Sequence, residues 1–270
     1  MPFADLRDQP LNAFLEAERD EEALWLFMHV PKTAGSSLSN ELARARKPYR
    51  NIHIDYSKPQ IPHDQQLQAA VDDFIASAQA RPHRSASGHI TMKHARQIKA
   101  AIPSTKLVTV IRDPVARVIS DFRYQRTPAH PPHQDFIRRF PTIWDFIEHG
   151  PSRNKIARHL APDFRAPAEQ IVRDVAAAMA FIGAVEMYPL SFSLMFKLMG
   201  QERRPKLHVR KTEARPENDV EVTPALRQRI SELNQIDEAI YGYVVTTLKR
   251  RRKEWVAERR ERQATAGAAA

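Results

Sequence analysis

The 270-residue sequence contains no cysteine, which excludes disulfides, thiolate zinc sites and a cysteine nucleophile. Long apolar runs are missing too. The longest, "ALWLFMHV", is strand-sized and follows the acidic "ERDEE", far short of the roughly 18 residues of a membrane span. The opening "MPFADLRDQP" lacks a basic start leading into an apolar stretch, so no secretory leader is expected. These absences lead us to expect a cytoplasmic protein without an integral membrane segment. Glycine is scarce, at seven residues, so each one placed in a turn carries information.

What is present is a globular pattern. Hydrophobic residues make up 42% of the chain, and amphipathic segments recur along it. No internal repeat or long linker divides it. We expect one domain over 1–270, with its core at about 24–248 and a basic tail at about 249–270. The net charge is +10, and half of it falls in "KRRRKEWVAERRER" (249–262). Because Glu254, Glu258 and Glu261 interleave with the bases, a solvated, salt-laced helix is favoured over a polyanion-binding arm, and no nucleic-acid partner is expected.

"LWLFMHV" (24–30) and "KLVTVIR" (106–112) are apolar without alternation, as in strands buried on both faces of a parallel sheet. "SASGHI" (85–90) and "FIGAV" (181–185) read as shorter strands, and the proline-rich 47–63 holds at most one more. Helical spacing marks 64–79 and 91–102, and a helix opens at Asp113, an N-cap followed by Pro114. Residues 127–133 read as a loop; helices are expected at 142–149, 152–160, 167–180, 188–199, 223–234 and 237–262. The alternation predicts an α/β fold: a three-layer, P-loop-like parallel sheet flanked by helices, with a helical C-terminal part.

Between the first strand and its helix stands "HVPKTAGSS" (29–37). Loop and helix N–H groups, the hydroxyls of Thr33, Ser36 and Ser37, the small Ala34 and Gly35, and the charge of Lys32 would suit an anion. Ser36 or Ser37 would cap the helix. The pattern is neither a Walker A loop, which keeps its lysine after the last glycine, nor a dinucleotide fingerprint. Read alone, it fits an ordinary strand-to-helix turn equally well.

Four stretches in order carry a resemblance. "HVPKTAGSSL" resembles the 5′-phosphosulfate loop of sulfotransferases that use 3′-phosphoadenosine 5′-phosphosulfate (PAPS), most of all the carbohydrate (heparan sulfate) 2-O-sulfotransferase-like branch. "SGHI" (87–90) is similar to that family's Gly-His segment, "VIRDPVARVISDF" (110–122) to its 3′-phosphate segment, and "HVRKTE" (208–213) to its late basic loop. The resemblance implies cofactor contacts from Lys32, Thr33, Ala34, Gly35, Ser36, Ser37, Arg112 and Ser120, with Lys211 and Thr212 from the late loop. It makes His89 the base that takes the acceptor proton, and the early lysine, Lys32, the group at the leaving oxygen. It implies release of adenosine 3′,5′-bisphosphate, with no metal required. "SRNKIARHL" (152–160) is similar to a helix that meets the acceptor, which nominates Asn154 and Arg158.

From the residues themselves, Ser120 lies nearly two helical turns beyond Asp113, so it and Arg112 can grip one phosphate. Arg117 is expected at the surface or behind the site. His94 stands behind His89 as an alternative base, His29 orients the loop, and His130 and His133 are expected to be exposed. The expected partner is a hydroxyl-bearing acceptor, a glycan above others. Two alternatives remain: a P-loop-type kinase or nucleotide hydrolase, and a non-catalytic module binding nucleotide or polyanion. Members of this branch in eukaryotes are anchored in the Golgi, so a chain with neither anchor nor cysteine is expected to be bacterial.

Overall fold

The computed structural model describes residues 2–58, 60–130, 132–205 and 218–268. Five strands, β1 (Trp25–Met28), β2 (Tyr49–Ile52), β3 (Ser85–Gly88), β4 (Lys106–Ile111) and β5 (Phe181–Ala184), form one sheet in the order β2-β3-β1-β4-β5. Every pairing is parallel. Helix α1 (Leu11–Glu18) precedes the sheet; α2 (Gly35–Ala45), α3 (His63–Ala80) and α4 (Met92–Ala101) link β1 to β2, β2 to β3 and β3 to β4. Between β4 and β5 lie α5 (Pro114–Gln125), α6 (His133–Arg139), α7 (Ile143–Glu148), α8 (Lys155–Leu160) and α9 (Ala168–Ala178). The chain ends in α10 (Tyr188–Leu198), α11 (Pro224–Leu233) and α12 (Gln235–Ala268).

Successive strand residues point to opposite faces, and every residue of β1, β3 and β5 is buried, so helices cover the sheet on both sides. The expected three-layer α/β architecture is thus present. Edge strand β2 buries only Ile52. The main core surrounds the sheet with Trp25, Phe27, Phe74, Phe181 and Phe192. A second core joins α5, α6, α7 and α11 through Phe122, Phe136, Phe146 and Ile230. Helix α6, which carries Phe136 into that core, was not foreseen; its seven residues are too few for a helical period to stand out.

The basic tail is docked rather than wholly solvated. Arg251 is buried and donates to the carbonyls of Leu6 and Arg7, while Glu254 accepts from the Leu11 N–H at 2.6 Å. Lys249, Arg252 and Lys253 remain exposed. No helix among the described residues is long and apolar enough to cross a membrane.

Candidate active site

Parallel strands deliver their C-terminal ends to one edge of the sheet, and ligands of such sheets bind where the strand order reverses. Here the chain leaves central β1 toward β3 and β2, then crosses to β4. The register pairs Met28 with Gly88, so His29 and His89 emerge side by side. Their rings stack at 4.1 Å between centroids, with Phe27 against His29 at 5.5 Å. His89 Nδ1 lies 2.8 Å from the His29 carbonyl. A carbonyl only accepts, so Nδ1 carries the hydrogen and the neutral ring keeps its lone pair on Nε2. His89 is an exposed residue, yet desolvation by surrounding protein lowers its pKa, the carbonyl bond opposes this, and His63 lowers it further. His29 is lowered to about 3 by burial, then by His89, His159 and Lys32. Both rings are neutral at pH 7.

The loop after β1 holds Lys32 and Ala34 in the left-handed region, at φ 69° and 61°. Each such non-glycine residue costs on the order of 1–2 kcal/mol. Alternating handedness turns successive N–H groups inward, as in anion-binding nests. Ala34 is the N-cap of α2, and no side chain caps that end. Ser36 and Ser37 sit inside the first turn rather than ahead of it, which is why the expected serine cap does not form. Thr33 is buried and donates its hydroxyl proton to the Val30 carbonyl at 2.8 Å, so the proton expected for a ligand shapes the loop instead. At Gly35 a Cβ would fall 2.0 Å from the His29 ring; only glycine lets the helix start rest on that histidine.

Arg112 follows β4 and forms no hydrogen bond or ion pair with the described residues, so the salt bridge that would have made it structural is absent. Asp113 caps α5 as expected, accepting from the Ala116 N–H at 2.7 Å. Ser120 and Tyr124, one turn apart, share a face of α5. The Lys32 ammonium lies over the Tyr124 ring, 3.8 Å from its centroid. Burial lowers the Lys32 pKa, Asp121 opposes this, and Arg112 lowers it further. Lys32 and Arg112 thus share one electropositive locus, with the α2 terminus behind Lys32.

Behind α5 the picture inverts. Arg117 is fully buried, not at the surface, and pairs with Asp121 at 3.2 Å. Asp121 also receives Lys155 at 2.7 Å and Gln125 at 3.0 Å. Desolvation would raise the Asp121 pKa, but Lys155 and Arg117 hold it below the usual carboxylate range. Asn154 starts α8 at φ 49° and accepts from the N–H groups of Ile236 and Asp237, which fastens α8 to α12. Arg158 donates to the Arg153 carbonyl and lies over the Phe164 ring. The side chains of both acceptor candidates are therefore engaged within the fold. His94 is occupied as well, closing a capping box with Thr91. His130 is half-buried against Tyr124 and Phe136 rather than exposed, and His133 is also half-buried. Lys211 and Thr212 lie outside the described residues.

Two residues that sequence reasoning missed join the site. Tyr124 seats Lys32. His159, on α8, donates Nδ1–H to the Lys155 carbonyl and is lowered to about 4, first by burial and in part by His89. Its position one turn after Lys155 was the only sequence signal.

The sequence matches the model of the Sulfotransferase family over residues 19–244. No curated protein matches it. Among solved structures, it is similar to the sulfotransferase from Alicyclobacillus acidocaldarius at 16% identity, covering 82% of this chain and 95% of that one with a TM-score of 0.48. A mouse sulfotransferase, SULT7A1, complexed with PAP, aligns at 14% identity over 85% of this chain and 89% of its own, with a TM-score of 0.32.

Proposed function

The chain belongs to the Sulfotransferase family and is a sulfotransferase, and from that premise we propose that it moves a sulfuryl group from PAPS to a carbohydrate hydroxyl by in-line attack, releasing adenosine 3′,5′-bisphosphate. The residues present fit a donor with two anionic centres. Lys32 and the uncapped α2 terminus suit the phosphosulfate, and Arg112 with Ser120 suits the 3′-phosphate. When bound, PAPS supplies an activated sulfuryl group on a phosphate leaving group.

The remaining steps belong to this chain's own side chains. The Lys32 ammonium offsets charge at the leaving oxygen; removing a donor of this kind costs about 10²–10³ in rate. His89 Nε2 takes the acceptor's hydroxyl proton, a contribution of about 10²–10⁴. The His29 carbonyl fixes the His89 tautomer, and a neutral His29 ring supports it from below. Asn154 and Arg158 act on the acceptor indirectly in this reading, by holding α8 so that it presents Lys155 and His159.

One observation carries the proposal: among the described residues Lys32 and Arg112 have no carboxylate partner and lie within each other's field, beside an α2 terminus without a side-chain cap and a neutral histidine whose Nε2 has no hydrogen-bond partner there. The test is calorimetric titration of adenosine 3′,5′-bisphosphate without metal, then of ATP with Mg²⁺. Metal-independent binding of the bisphosphate, weakened by Arg112→Ala, is the expected result. Preference for ATP with Mg²⁺ would instead favour a kinase or nucleotide hydrolase.

A further inference from the structure

Beside the reactive centre, α5, α6, α7 and the start of α8 line an open pocket of about 310 Å³, within the range of small-molecule sites. Phe136, Phe140 and Phe146 line it together with Arg139, His149 and Lys155. Lys155 is neutralised by Asp121, and Asp135, the acid on this wall, is paired with Arg138. Arg139 has no carboxylate partner among the described residues. It donates to His149 Nε2 at 3.0 Å, and the far nitrogen, Nδ1, donates to Ser152 Oγ at 3.2 Å. A guanidinium spent on a neutral imidazole leaves unused the fork that suits oxyanions.

The cavity also lies close to the chemistry. His130 lines it, and its ring centroid is 5.9 Å from that of Tyr124, which seats Lys32. We propose that Arg139 and His149 form a binding site for an oxyanion, a carboxylate or a sulfate ester, carried by the acceptor. Calling the carrier an acceptor rests on the function proposed above; the site itself does not. An arriving anion engages the Arg139 fork, releases His149 Nε2, and lets that nitrogen take up a proton and add a second charged contact.

The surroundings favour this exchange. His149 faces Arg139 from α6, Arg153 ahead of α8 and Lys155 on it, while Glu148 on α7 already holds Arg153 and Arg229 of α11. Burial and then these cations lower the His149 pKa. An anion offsets them and raises the ring back toward the ordinary histidine value, so binding strengthens as pH falls below about 6.5.

The test titrates the full chain with glucuronate, glucose 6-sulfate and, as neutral control, methyl glucoside, with and without adenosine 3′,5′-bisphosphate. Histidine ring ¹⁵N signals report protonation. At least one acid should bind about ten-fold more tightly than the neutral sugar, with His149 moving to its protonated pattern. Which acid does so distinguishes carboxylate from sulfate ester. Arg139→Gln should erase the preference while leaving bisphosphate affinity intact. Acids that bind no better than the neutral sugar, or a preference that survives Arg139→Gln, overturn the site. Failure to bind the bisphosphate counts against the donor reading alone, because the acid arms are measured without it.

Discussion

Arg112 and Arg117 stand five residues apart, and their surroundings are opposite. Arg112 leaves β4 at the open edge of the sheet, with no acid set against it among the described residues. Arg117 lies on the inner face of α5, fully buried, paired with Asp121 and within the field of Asp237. The same division runs through the lysines: Lys32 rests on an aromatic ring, and Lys155 on a carboxylate. Arg117 and Lys155, which build the fold, are neutralised internally, whereas Lys32 and Arg112 have no carboxylate partner among the described residues. An unneutralised, half-buried cation is costly to hold and gains most from an incoming anion.

The most forceful way to break this comparison is Asp121→Asn. It strips the counter-charge from Arg117, two of whose nitrogens already lack a hydrogen-bond partner, and from Lys155. Leaving a buried charge uncompensated costs about 3–5 kcal/mol. Chemical denaturation should show a loss of that order. Near-native stability would mean that the Arg117 cluster is not structural.

Lys32→Ala should do the reverse. Turnover should fall about 10²–10³-fold while the denaturation midpoint holds or rises, because the substitution relieves a half-buried charge and loses only a cation–π contact of about 0.5–2 kcal/mol. A folded, fully active Lys32→Ala enzyme would remove the strand-end charges from the mechanism.

The two classes were unequally legible in the sequence. Lys32, Gly35, Asp113 and Arg112 lie in local patterns, a strand followed at once by a loop and a helix start, so their placement followed from neighbours in the chain. Arg117 and Asp121 carried a local clue in their i,i+4 spacing on α5, but their burial comes from tertiary packing on α5, with Lys155 of α8 and Asp237 of α12 brought up to the pair. Asn154 illustrates the same limit: its partners on α12 are 82 and 83 residues away, and no short pattern encodes them. His159 and Tyr124 likewise become site residues only through tertiary packing.

Acid should sharpen the comparison through the buried histidines. His29 and His159 are lowered to about 3 and about 4, and both titrate near 6.5 when unfolded. Between those values the unfolded chain binds more protons, so stability is full above pH 6.5 and declines as pH falls toward 4 and then 3. The decline should reach about 2.5 kcal/mol for each ring by pH 4.5, about 5 kcal/mol for the two together. His159→Gln should flatten the slope of urea midpoint against pH. Turnover should fall over the acid side as well, as the lowered pKa of His89 is crossed. A pH-independent midpoint from 7.5 to 4.5 would show that these rings are not held neutral by burial.

The smallest effect extends the same contrast to the basic tail, where neighbours in sequence again differ in use. Arg251 is buried and donates to two backbone carbonyls near the N-terminus, with Glu254 at 2.6 Å; Arg252 is exposed. Arg251→Ala removes the Arg251 donor from the Leu6 carbonyl, leaves the Arg7 carbonyl to Arg250, and loosens the joint between α12 and the first residues, at a cost of about 1–2 kcal/mol. Arg252→Ala should stay within about 0.5 kcal/mol. Raising salt should barely narrow the gap, because hydrogen bonds to buried carbonyls are screened far less than exposed charges. If the two variants proved equally mild, or salt erased their difference, the tail would be a solvated charge run after all.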